Sequence, residues 1–170
     1  MPEMINLLGL AMIVITFCLG LAFRRLSAII LPLAVVFLCL LITFGIMAWM
    51  DTPVALTFQL FPAFLLVVGI CDAVHFLALF YHALPDNSRK DAVAKAWRSS
   101  AKAITLTSIT TAIGMLSLSW AEILPISNLG IFSAIGVLVC WIMSLTFLPA
   151  LLVLTPKSLH RQRWAANSDR

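Results

Sequence analysis

The chain is expected to be all-α, a polytopic membrane bundle of five transmembrane helices, and three observations carry that expectation. Of its 170 residues 62% are hydrophobic and 11% charged, against roughly 45–50% and 25% in soluble domains. The apolar residues gather in long runs, each near the ~20 residues that cross a hydrocarbon core of about 30 Å. All 11 lysines and arginines lie between or beyond those runs, at Arg24-Arg25, in the 89–102 segment and from Lys157 onward.

The first run, 4–23, is preceded by Glu3 and followed by Arg24-Arg25. A secretory signal has the opposite polarity and a small-residue cleavage site, so this run is expected to be a retained span. A second span covers 26–50 and ends at Asp51-Thr52-Pro53; a third covers about 54–82. The polar segment that follows spaces Ser88 and Asp91 as a capping box, with Val93, Ala96, Trp97 and Ile104 at helical intervals. It is expected to form an amphipathic helix over about 88–101, either lying on the membrane with Arg89, Lys90, Lys95, Arg98 and Lys102 toward lipid phosphates, or serving as a solvated connector. A fourth span covers about 102–120, a fifth 126–155, and 156–170 is a tail.

With five spans the three basic clusters share one face, which the positive-inside rule makes cytoplasmic; the amino end, the Asp51 turn and the Glu122–Pro125 turn then lie outside, and the carboxyl end inside. Trp49 and Trp120 fall at the outer boundary and Tyr81 and Trp97 at the inner one, whereas Trp141 falls within a span and is expected to pack between helices. The formal charge of +4 thus reflects topology, and no nucleic-acid partner is indicated. Cys18, Cys39, Cys71 and Cys140 each sit in apolar sequence without a C-x-x-C pair, which reads as small packing residues. No phosphate loop, nucleophile–base–acid set or metal cluster is evident, so neither an enzyme nor a cofactor is expected. A Ser108–His75 dyad and zinc binding by His75 and His82 are both poorly supported, the histidines being seven apart without a third ligand.

The chemically informative stretch is VVGICDAVHFLALFYH, residues 67–82. A carboxylate near the centre of a span costs about 2.5–3.5 kcal/mol on insertion scales, so Asp72 must face protein or water. Gly69, Asp72, His75 and Leu79 share a helical face, which sets the imidazole about one turn from the acid. Two readings stand for Asp72: an ion or proton site, or a neutral acid bonded to a neighbouring hydroxyl that contributes packing. His75 has the same pair of readings. In the fourth span Thr107, Ser108, Thr111 and Gly114 are expected on one face, able to form a wet polar seam with Asp72 or to pack. In the fifth, Gly130, Ser133, Gly136, Cys140 and Ser144 form a small-residue stripe suited to close helix approach.

Gly69-x-x-Asp72-x-x-His75, the AITLTSITTAIGMLSLS of the fourth span and the ILPISNLGIFSAIGVLVCWIMSLTFLPALLVL of the fifth occur in the order and spacing of the resistance-nodulation-division (RND) superfamily. The chain resembles its MMPL-type and sterol-sensing-domain-like exporters over nearly all of 4–155. That resemblance implies the last five spans of one transporter half, without the preceding span and porter domain, in a bacterial inner (plasma) membrane. It implies export of a lipid or hydrophobic small molecule driven by protons, with Asp72 as the protonation site, Thr107 matching an assisting threonine, and His75 and Thr111 beside them. It further implies a second RND half, or another copy of the chain, facing Asp72. Cys71 and Ala73 flank the acid where many relatives carry an aromatic residue or a second acid. The alternative is a non-transporting lipid-sensing or scaffolding membrane module, or a truncated remnant of a larger transporter.

Overall fold

The computed structural model describes residues 9, 13, 14, 26–51, 60–85 and 87–154. Nearly all of the expected first span (4–23), Arg24-Arg25 and the 156–170 tail lie outside the described residues. Four helices are described: α1 (Leu26–Trp49), α2 (Leu60–Ala83), α3 (Arg89–Leu116) and α4 (Leu124–Leu154), with α3 running into a 3-10 turn at Ser117–Trp120. All four are long and apolar enough to cross a membrane, so the all-helical membrane bundle stands with four described spans where five are expected in the whole chain.

Outside the basic stretch of α3 at 89–102, the helices are largely apolar on their outer as well as their inner faces, as lipid requires. On α1, Val35, Cys39 and Met47 are buried while Ile30 (60% exposed), Phe37 (64%) and Leu41 (53%) face outward. Buried and exposed side chains are equally greasy, so the exposed ones mark the lipid-facing surface rather than an error of folding.

α4 packs against all three other helices, and α1 and α3 flank the α2/α4 pair. Glycines set the closest approaches. A Cβ built on Gly136 would lie 2.5 Å from Leu65 Cδ1 and 3.4 Å from Thr43 Cγ2, and one on Gly69 would lie 2.8 Å from Val36 Cγ2 and 3.2 Å from Cys140 Sγ. Leu65 to Gly69 and Gly136 to Cys140 are equal steps in the same direction, so α2 and α4 run parallel in one register. Between the same two levels α1 steps backward, from Thr43 to Val36, so it runs antiparallel to both. Gly130 closes the other end of α4, its added Cβ meeting the Met115 carbonyl oxygen at 2.6 Å and Leu118 Cβ at 2.7 Å. Gly69, Gly130 and Gly136 thus stand at close approaches between elements, whereas Gly114 is exposed, with nothing within 4 Å.

α3 differs most from expectation. The helix expected over 88–101 and the span over 102–120 are one unbroken helix, begun by Ser88, whose Oγ accepts from Asp91 N at 3.4 Å. Nothing interrupts it near 101, where Ser100, Ala101, Lys102 and Ala103 are all tolerated by a helix interior. A row at every fourth position, Ala92, Ala96, Ser100, Ile104, Ser108 and Ala112, is buried along its whole length. Thus the apolar side of the basic segment is covered by protein, where a surface helix would lay it on lipid.

One contact fixes that arrangement. Pro149 stands inside α4 and, lacking an N–H, leaves the carbonyl four residues earlier without its helical donor. That carbonyl belongs to Leu145, and Trp97 Nε1 donates to it at 3.1 Å. Trp97, expected at headgroup depth, is thereby tied to the bundle. Trp141 packs between helices as expected, its Nε1 donating to Thr105 Oγ1 at 3.0 Å.

Candidate functional site

Asp72 lies midway along α2 and is 6% exposed, the one carboxylate buried among the described residues. Gly69, one turn earlier, lets α1 and α4 close over this level, since any side chain there would strike Val36 and Cys140. The acid is turned toward α3, where Ser108, 1% exposed, donates its hydroxyl to Asp72 Oδ2 at 3.3 Å. This is a long hydrogen bond, and it joins α2 to α3 at a level where each otherwise presents hydrocarbon. A carboxyl in that place can exchange a proton only if it meets water or another polar group during a conformational cycle, and the change of charge would alter its hold on Ser108.

The remaining residues of the expected relay are distributed differently from the sequence expectation. His75 follows Asp72 by three residues on α2, but it is exposed on the outer side of the helix together with Cys71. Thr107 is also exposed, its Oγ1 donating to its own helix at the carbonyls of Ala103 and Ile104, both at 3.0 Å. Thr111 is half-buried. The physical reason is the buried row of α3: its fourfold spacing brings Ser108 into the helix contact and turns Thr107 and Gly114 out. Thr107 therefore does not reach Asp72; Ser108 does. The signal that separates Ser108 from Thr107, Thr111 and Gly114, with which it shares the expected face, is the i+4 row of small residues it forms with Ala96, Ser100 and Ala112.

Two further buried hydroxyls belong to α4. Ser133 and Ser144 are both fully covered, and neither hydroxyl oxygen has a hydrogen-bond partner. Thr43 on α1, equally covered, donates back to the Cys39 carbonyl at 2.8 Å. Small polar groups are thus held in the close-packed interior of the bundle, Ser133 and Ser144 on α4 and Thr43 where α1 meets Gly136.

Lys90, Lys95, Arg98 and Lys102 are all exposed along α3, and Arg89 is half-buried at its start. Among the described residues no group of three His, Cys, Asp or Glu side chains is arranged to hold a metal ion.

Comparison with known proteins adds family membership to this geometry. The chain is 28% identical over 160 residues to a membrane protein of the archaeon Methanocaldococcus jannaschii; the match takes in 91% of the chain and 39% of that relative's length. No solved structure matches the chain. The family model for the MMPL family matches residues 3–170, nearly the whole sequence, and the apolar helical bundle agrees with it: the chain belongs to the MMPL family.

Proposed function

We propose that the chain is the membrane part of an RND-type exporter of lipids or other hydrophobic compounds, driven by the proton-motive force, with Asp72 as the group that is protonated and released. The observation that carries this reading is the burial of a carboxyl group in the middle of a membrane-spanning helix, hydrogen-bonded by the Ser108 hydroxyl of the neighbouring helix. Intramembrane acids are costly and mark ion or proton pathways. One proton falling through 100 mV releases about 2.3 kcal/mol, comparable with the strength of the interactions that protonation of Asp72 would rearrange.

In this reading Ser108 takes the partner role expected of Thr107. His75 and Cys71 lie on an outward face that a second RND half or another copy of the chain would cover, and Thr107 and Thr111 lie on α3. A histidine facing acyl chains would be poorly solvated, which favours a protein or water neighbour there. The chain then sits in a bacterial inner (plasma) membrane with its amino end outside and its carboxyl end cytoplasmic, the orientation that the basic segment of α3 favours.

The test is export by the assembled transporter in proteoliposomes carrying an imposed pH gradient, with vesicle-entrapped dye reporting proton flux. Asp72→Asn should abolish coupled export and proton flux while leaving insertion into the bilayer intact, and Asp72→Glu should retain part of both. Export by Asp72→Asn at the native rate would overturn the reading in favour of a lipid-sensing or scaffolding module.

A further inference from the structure

Lys95, Arg98, Lys102, Leu106, Ile109 and Ile113 form one exposed stripe along α3 at helical spacing. The stripe changes chemistry at a single point: Leu106 and Ile113 are 66% and 63% exposed and apolar, suited to acyl chains, whereas everything from Lys102 back toward Lys95 is basic. Because the helix is unbroken, its two halves cannot be turned toward different surroundings. Ala92, Ala96 and Ser100 are buried on the opposite side, so the basic half cannot roll away either. Lys102 therefore meets whatever layer directly borders the hydrocarbon, and that layer is the lipid phosphates.

Depth along the helix selects among the basic residues. Arg98 lies about 6 Å beyond Lys102 along the axis, Lys95 about 10 Å and Lys90 about 18 Å. A headgroup layer of roughly 5–7 Å per leaflet contains Lys102 and Arg98, reaches the edge of Lys95 and leaves Lys90 clear. Arg98 and Lys102 are like charges at i and i+4, a pairing that weakens a helix unless an anion lies between them. Asp91, the carboxylate of the same stripe, is already engaged with Ser88.

We propose that Arg98 and Lys102 form a clamp for the phosphate of an anionic phospholipid, the guanidinium supplying a forked pair of donors and the ammonium a second charge. The ligand chemistry is a phosphodiester monoanion held at the bilayer boundary without a neighbouring cation; a choline headgroup brings its own positive charge against the stripe and binds less well. The clamp does not depend on whether Asp72 carries protons.

Native mass spectrometry of the purified protein, titrated with phosphatidylglycerol or phosphatidylcholine in detergent, tests it. The native protein should hold phosphatidylglycerol roughly tenfold or more tightly, the scale that two basic side chains supply near an anionic surface. Arg98→Gln/Lys102→Gln should lose that preference with unchanged helical circular dichroism, and Lys90→Gln should keep it. Equal affinity for the two lipids, an unchanged preference in the double variant, or an equal loss in Lys90→Gln would each overturn the proposal. Displacement of phosphatidylglycerol by millimolar inorganic phosphate would overturn the lipid assignment and point to a soluble phosphate at the same residues.

Discussion

At the scale of single residues the molecule turns on two polar side chains in a helix contact. Ser108 donates to Asp72 at 3.3 Å, and both are shielded from the surroundings. Removing the hydroxyl leaves the acid buried without that donor, a loss of about 1–3 kcal/mol in comparable buried sites. Ser108→Ala should therefore lower the unfolding midpoint in lipid or mild detergent, whereas Thr107→Ala, which loses only bonds to its own helix, should change it little. The double variant Asp72→Asn/Ser108→Ala separates the pair from its parts. If the two groups are coupled, its effect falls short of the sum of the single effects by at least several tenths of a kcal/mol. Full additivity, measured on the same unfolding curve, would mean that the long hydrogen bond contributes nothing.

Among elements, the junction of α3 with α4 is held by a repair as much as by packing. Pro149 deprives the Leu145 carbonyl of its helical donor, and the indole of Trp97 replaces it. Trp97→Phe keeps most of the ring but not the N–H, and should cost about 0.5–1.5 kcal/mol, the net worth of one hydrogen bond at an exposed contact. In a Pro149→Ala background the backbone N–H returns and the same substitution should cost markedly less. Unfolding midpoints of the four proteins in this cycle measure the difference, and an equal cost in both backgrounds would refute the repair. Such a contact is not legible in a sequence, since residues 97 and 145 are brought together only by the antiparallel packing of α3 and α4. The extent of α1 is legible: Leu26–Trp49 occupies the 26–50 run almost residue for residue, because lipid demands an apolar surface all round. For the same reason the inward face is hard to read: of Thr107, Ser108, Thr111 and Gly114, expected on one face, Ser108 alone is buried, while Thr107 and Gly114 are exposed. Gly69 and Gly136 could be read as close-packing positions from their small neighbours, while Gly114, equally helical, packs against nothing described.

For the molecule as a whole, the decisive matter is how a bundle of unequal helices stands in a bilayer. α1 and α2 have 24 residues each, about 36 Å at 1.5 Å per residue, close to one hydrocarbon thickness of ~30 Å. α3 with its 3-10 turn covers 32 residues, which at α-helical rise is about 48 Å and leaves roughly 18 Å outside the core. An amphipathic segment lying flat would spend that surplus along the surface; an unbroken α3 carries it outward, with Lys90 farthest from the hydrocarbon. The two arrangements predict different distances. Spin labels at Lys90 and Ile113, both exposed, are separated by 23 residues, about 35 Å between backbone positions on a straight helix but roughly 25 Å if the chain turns through a right angle near residue 101. Double electron–electron resonance in nanodiscs should give the longer distance as one narrow population, with the Lys90 label open to water-soluble relaxation agents and the Ile113 label open to oxygen dissolved in lipid. A distance near the shorter value would bend α3, return the basic segment to the membrane surface, and bring Lys90 and Lys95 to the same depth as Arg98 and Lys102.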